Sequence, residues 1–217
     1  MPVKVGLQYI EQWKESLEAQ VAAYEAEPVE TGKIVFYGPS FYTRWSKKWE
    51  HIPLADALRG KSGAACCINR GFGSSCPEHQ LYYYPRMIRP LAPKVLVYCP
   101  WGNSSAFGYS DEEAFWLAER VVTYASTDFP DMQIYLSGAP FTVSEAGSPL
   151  ETREAFNDML RALAAKTPNC HFFNPLEYKP LWDPANFVAD GVHYNQQGYD
   201  TFTDYYRMIL RDELDKF

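Results

Sequence analysis

Apolar residues recur along this chain in two alternating rhythms. Ile10, Trp13, Leu17, Val21 and Tyr24 stand at helical spacing, and the helix they define ends before Pro28. The apolar run at 33–38 predicts a buried strand, and 51–60 a short helix closed by Gly60. Residues 64–68 read as a second strand. Leu81, Tyr84 and Ile88 mark one face of a helix that stops before Pro90. A third strand at 95–99 is broken by Pro100. Ser110-Asp111-Glu112-Glu113 is a capped, acidic helix start, followed by apolar positions through Val122. The pattern then predicts a strand at 132–136, a helix from Thr152 carrying Phe156, Leu160 and Leu163, and a short strand at 170–173. A last helix follows Asn195 and carries Tyr199, Phe202, Tyr206 and Ile209.

Strands alternating with helices imply a parallel sheet covered on both faces, with right-handed crossovers. Five strands predict a flavodoxin-like three-layer α/β/α sandwich. No repeat, low-complexity tract or linker divides the chain. Residues 1–217 therefore read as one domain, with 1–30 a helical extension packed on it. Sites in such sheets lie outside the carboxyl ends of the strands. Those ends carry Ser40 after the first strand, Gly71 to Ser75 after the second, and Trp101-Gly102-Asn103 after the third. Asp190-Gly191-Val192-His193 follows the last strand region. Four segments of reactive or hydrogen-bonding residues thus converge on one rim.

Length, charge and cysteines narrow the classes of function. A chain of 217 residues holds one domain with a substantial core. A net charge of −7 argues against nucleic acid or an anionic membrane as the main partner, since both reward Lys/Arg patches. No uninterrupted apolar stretch is long enough to span a bilayer, and the first residues carry no apolar signal region. The expected location is the cytoplasm. Five cysteines without a C-x-x-C pair read as buried, reduced thiols. Cys66 and Cys67 are expected to face opposite sides of their strand. Cys76 lies near the rim and is a candidate reactive thiol.

The chemistry follows from the Asp-x-x-His pair. An acid three residues before a histidine can be held by a single turn, so Asp190 grips one ring nitrogen of His193 and leaves the other as a base. Such a base serves a serine hydroxyl, a poor nucleophile alone, and Ser40 is placed for it. The developing oxyanion would draw on the N–H of Ser40, a backbone N–H in 71–75 and the side-chain amide of Asn103. The reading is a serine esterase acting on a small-molecule ester, with no cofactor and no metal. The four scattered histidines show no metal-protease spacing. A nucleotide-binding protein is disfavoured because the glycine loop lacks a third glycine and no Walker motif is present. An α/β-hydrolase is disfavoured because Ser40 lacks the trailing glycine of G-x-S-x-G.

These blocks resemble the SGNH branch of the GDSL esterase/lipase superfamily, whose four blocks supply Ser, Gly, Asn and Asp-x-x-His. Phe36 to Ser40 is similar to its first block and Ile68 to Ser74 to its second. Tyr98 to Asn103 is similar to the third, and Asp190 to Asn195 with Gly198-Tyr199 to the last. The resemblance implies metal-free ester hydrolysis by Ser40, His193 and Asp190 on the SGNH hydrolase fold. Three departures stand out. Pro39 occupies a position where the family commonly has Asp or Ser. The oxyanion glycine aligns with Ser74, leaving Gly73 as an alternative donor. Trp101 stands where the third block places glycine, with Gly102 shifted by one. The crowding by Ser74 and Trp101 favours short acyl groups such as acetyl. The same departures allow a second reading, a catalytically impaired module that binds acylated glycans or lipids. The rim aromatics Phe41, Tyr42, Trp45, Trp101, Phe107, Tyr109, Phe141, Trp182 and Tyr194 are candidates to line the pocket, with Phe41, Trp101 and Tyr194 foremost.

Overall fold

The computed structural model describes residues 10–144 and 149–217, with side chains from Lys14 onward. The side chains of Ile10 and Trp13 lie outside the described residues. In chain order the elements are α1 (Ile10–Glu25), β1 (Ile34–Gly38), α2 (Ser40–Thr43), α3 (Leu54–Ala57), β2 (Cys67–Gly71) and α4 (Pro77–Met87). There follow β3 (Val95–Tyr98), α5 (Asp111–Asp128), β4 (Gln133–Ser137), α6 (Leu150–Lys166), β5 (Cys170–Phe173), α7 (Gln196–Ile209) and α8 (Arg211–Leu214). Short 3-10 turns fill several connections. The five strands form one parallel sheet in the order β2-β1-β3-β4-β5, the doubly wound arrangement that the alternating pattern predicts.

Period-two alternation sends each strand's side chains to two cores. Val35, Tyr37, Leu96, Tyr98, Ile134 and Leu136 face one layer, where they meet Leu17 and Val21 of α1 and the apolar faces of α4, α5 and α6. Ile34, Phe36, Val95 and Val97 face the other, against Phe202 and Tyr206 of α7, Leu214 of α8 and Leu210 between the two helices. Helix α1 is tied to this body by more than apolar contact. Tyr24 donates its hydroxyl proton to the Gly71 carbonyl at 2.6 Å, and just past the end of the helix Glu27 accepts from Arg70 at 2.6 Å. Ser110 and Glu113 form the expected capping box at the start of α5, and Asn195 caps α7 by accepting from the Gly198 N–H.

Three local expectations need correcting. β2 begins at Cys67 and not at 64, so Asn69 and Arg70 lie inside the strand. Edge position makes that tolerable, because their polar ends find partners outside the sheet. Asn69 donates to the Tyr42 carbonyl at 2.7 Å and accepts from the Gly71 N–H at 2.9 Å. Because Cys66 precedes the strand, the two adjacent thiols do not diverge: their sulfurs lie 3.8 Å apart in the same buried cluster. The helix expected over 51–60 shrinks to the single turn of α3.

Candidate active site

Ser40 opens α2 immediately after β1, with Pro39 at the N-cap. A proline costs nothing there, because an N-terminal helix residue has no intrahelical partner for its N–H. The Pro39 carbonyl accepts from the N–H groups of Tyr42 and Thr43 and closes the turn. Two glycines let α2 lie directly on the sheet. A Cβ on Gly38 would stand 2.9 Å from the Cys99 carbonyl oxygen, and one on Gly71 would stand 2.5 Å from the Thr43 nitrogen.

Across the rim, the 190–193 turn presents the histidine. Asp190 Oδ1 accepts from the N–H groups of Val192 and His193, both at 2.8 Å, while Oδ2 lies 2.8 Å from His193 Nδ1. Gly191 takes the left-handed conformation that this turn demands (φ 67°). His193 Nε2 lies 2.9 Å from Ser40 Oγ. With Nδ1–H directed at the carboxylate, Nε2 is the lone-pair nitrogen and accepts the serine proton. Burial raises the Asp190 pKa, but the two N–H groups and the imidazole outweigh it and hold the carboxyl at about 2. For His193, burial is the largest influence and lowers its pKa. The Asp190 bond opposes that, and the Arg44 guanidinium adds to it.

Arg44 is a site residue that the sequence reading missed. It follows Ser40 by four residues, stacks on the Trp49 ring at 4.4 Å and points Nη1 at Asp190 Oδ2 from 3.5 Å. The i,i+4 spacing from the serine was the available signal, but the helix is a single turn that the hydrophobic pattern does not register.

The second and third strand ends complete the rim. Phe72 to Ser75 form a tight turn, closed by the Ser75 N–H on the Phe72 carbonyl at 3.4 Å. Ser74 sits at its third position with φ 65°, where glycine is favoured, which accounts for the alignment of a family glycine with this residue. Among the described residues, the N–H groups of Ser40 and Ser74 have no protein acceptor. Gly73 is different. Its N–H donates to Gln20 Oε1 of α1 at 2.8 Å, so it is not available as the alternative oxyanion donor. Asn103 is held by one amide proton on the Ser75 carbonyl at 2.9 Å, which leaves its second amide proton for a ligand. Gly102, at φ 130°, packs against the Pro39 ring: a Cβ there would lie 3.3 Å from Pro39 Cγ. The shifted glycine of the third block and the unusual proline of the first are therefore one packing solution.

These segments enclose a cavity of about 480 Å³, lined by Ser40, Ser74, Trp101, Asn103, Arg44 and His193 among others. Of the rim aromatics, Phe41, Trp101 and Tyr194 line it, joined by Trp49 and Phe156. Trp101 leans edge-on against Phe156, with ring centroids 5.2 Å apart. Tyr42 and Trp45 are fully buried in the core instead, and Phe141 stacks on Trp182 at 4.6 Å outside the cavity lining. Phe107 and Tyr109 form a separate buried cluster with Cys76. That thiol is fully buried beside His79, and burial pushes its pKa to about 12, which removes it as a candidate reactive group.

The fold has many solved counterparts. Over 91% of this chain and 98% of its own, a GDSL-like lipase from Bacteroides thetaiotaomicron superposes with a TM-score of 0.72 at 17% identity. An acetyl xylan esterase matches 82% of this chain and 99% of its own, with a TM-score of 0.67 at 16% identity. A family 3 carbohydrate esterase from Clostridium thermocellum matches 85% of this chain and 98% of its own, with a TM-score of 0.61 at 14% identity. No protein-family model and no curated relative matches the sequence. The fold is that of the SGNH/GDSL hydrolases. Among the described residues, no helix is long and apolar enough to cross a membrane.

Proposed function

We propose that this chain is a serine ester hydrolase with Ser40 as nucleophile, His193 as general base and Asp190 as the residue that orients the imidazole and stabilises the imidazolium it becomes. The observation that carries the reading is the continuous relay from Asp190 Oδ2 through His193 to Ser40 Oγ, with steps of 2.8 and 2.9 Å, opening into the cavity. Ser40 Oγ attacks the acyl carbon as His193 Nε2 takes its proton. The oxyanion is met by the N–H groups of Ser40 and Ser74 and by the free amide proton of Asn103. His193 then returns the proton to the leaving alcohol. Water repeats the cycle on the acyl-enzyme and releases the acid.

The substrate we infer is a short-chain ester, acetyl-type, of a polar ring-bearing alcohol such as a sugar. Ser74 carries a side chain at the turn proposed to hold the oxyanion, while Trp49, Trp101 and Arg44, which line the same cavity, offer flat faces to a ring. The likeness to an acetyl xylan esterase and a carbohydrate esterase supports this. A series of 4-nitrophenyl esters, run with wild type and Ser40→Ala, tests both parts. Turnover dependent on Ser40 and highest for acetate is expected. An optimum at about eight carbons or more would reject the short-acyl assignment. Absence of turnover in folded wild type would reject the hydrolase and favour the impaired binding module.

The pH profile follows from the site's electrostatics. Only neutral His193 can accept the serine proton, so kcat/KM rises through its pKa and is flat above it. Burial and Arg44 set that pKa low, so the acid limb is expected below histidine's ordinary value of about 6.5. Arg44→Gln removes a positive charge that disfavours the imidazolium. The limb should then move to higher pH, and a pH–rate profile that does not move excludes this role for Arg44.

A further inference from the structure

Helix α1 lies outside all four sequence blocks that define the site, yet it reaches the rim segment that follows β2. Gln20 spans from the helix to the turn after β2 and grips Gly73 with both ends of its amide. Oε1 accepts from the Gly73 N–H at 2.8 Å, and Nε2 faces the Gly73 carbonyl oxygen at 3.5 Å and that of Ser16 at 3.3 Å. Gly73 lies between α1 and the nucleophile, with room for ordinary van der Waals contact on both sides. A Cβ built on it would lie 3.7 Å from Gln20 Oε1 and 4.0 Å from Ser40 Cβ.

This contact determines where the next N–H points. In a planar trans peptide the carbonyl and the following N–H point in opposite directions. A Gly73 carbonyl turned towards Gln20 therefore turns the Ser74 N–H away from α1, and Gly73 and Ser74 both line the cavity. Ser74 holds a left-handed conformation that disfavours any side chain, so the turn has reason to relax if the grip is lost. We propose that Gln20 is a positioning residue for the oxyanion site, pinning the Gly73 peptide so that the Ser74 N–H stays aimed at the developing charge. This rests on the ester-hydrolase reading and extends it to an element that the family resemblance does not cover.

Gln20→Met, similar in length and unable to hydrogen-bond, is the informative variant. Tyr24→Phe is its control, since it removes the other α1 bond to the end of β2, at Gly71, without touching Gly73. With 4-nitrophenyl acetate, Gln20→Met is expected to lose about 10- to 100-fold in kcat with KM within about twofold, because losing one oxyanion donor outright costs about 10²- to 10³-fold. Tyr24→Phe should lower thermal stability and leave kcat near wild type. Gln20→Glu keeps the acceptor for the Gly73 N–H and should fall between wild type and Gln20→Met. Amide hydrogen exchange gives a readout that does not depend on turnover: Gly73 should be protected in wild type and lose protection in Gln20→Met. A Gln20→Met kcat within twofold of an active wild type would overturn the positioning role and leave the hydrolase intact. An inactive, folded wild type would overturn both. Equal kcat losses in Gln20→Met and Tyr24→Phe would show that α1 acts only as structural support and would overturn the specific role of Gln20.

Discussion

Ser40→Ala is expected to cut kcat/KM for 4-nitrophenyl acetate by roughly 10⁵- to 10⁶-fold, the scale on which removing the nucleophile disables a triad whose members act as a unit. The structure gives this variant little other way to act. Among the described residues, Ser40 Oγ makes one side-chain hydrogen bond, to His193, and the turn that carries the serine is closed by backbone groups of Pro39, Tyr42 and Thr43. His193 keeps its hold on Asp190 without the serine. Stability should therefore change by no more than about 1 kcal/mol, the typical net worth of one hydrogen bond. Non-additivity sharpens the test: His193→Ala in the Ser40→Ala background should cost little more than either change alone. A Ser40→Ala protein that keeps more than about a hundredth of wild-type activity would mean that the hydroxyl is not the nucleophile.

What the sequence disclosed and what it hid divide along sequence distance. The Asp190–His193 pair was legible because a three-residue turn makes it locally, through the Asp190 bonds to the N–H groups of Val192 and His193. The meeting of Ser40 with His193 was legible because a parallel sheet gathers its strand ends on one rim, whatever the details. β5 was read at its true bounds, since Cys170, Phe172 and Phe173 are sharply flanked by Pro168-Asn169 and Asn174-Pro175. β2 was misplaced because its polar residues are stabilised from far away. Arg70 pairs with Glu27 and stacks on Tyr24, and Asn69 is bound to Tyr42 and Gly71. Periodicity sees neither contact. Gln20 was hidden for the same reason: it borders the apolar face of Leu17, Val21 and Tyr24, and nothing in that spacing says its amide spans 53 residues to Gly73. The aromatics were the least legible group. A rim stacking surface and a core packing residue use the same side chains, and Tyr42 and Trp45 proved to be core.

Gly71→Ala should be the most damaging small change outside the relay. Gly71 ends β2 opposite Gly38 of β1, and α2 crosses directly above it. The added methyl would fall onto Tyr42 Cβ and stand 2.5 Å from the Thr43 nitrogen and 2.7 Å from the Tyr42 carbonyl carbon. These are backbone or near-backbone atoms, so no side-chain rotation relieves the overlap. Tyr42 is also fixed from below, being fully buried with its hydroxyl 2.7 Å from that of Tyr206. The turn must therefore lift off the sheet, and overpacking of this kind costs about 1–3 kcal/mol or more. For a chain of this size that corresponds to a fall of roughly 2–12 °C in Tm. Activity should suffer beyond what the lost stability explains, because the displaced turn is the one that begins with Ser40. A shift of about 1 Å in a reacting group can cost on the order of 100-fold in rate. Thermal denaturation together with kcat at a temperature well below the transition separates the two effects. Gly71→Ala with wild-type Tm and kcat would mean that α2 does not rest on the end of β2. A lowered Tm with unchanged kcat would mean that Ser40 is held by its contacts with His193 and Pro39 and not by the sheet beneath it.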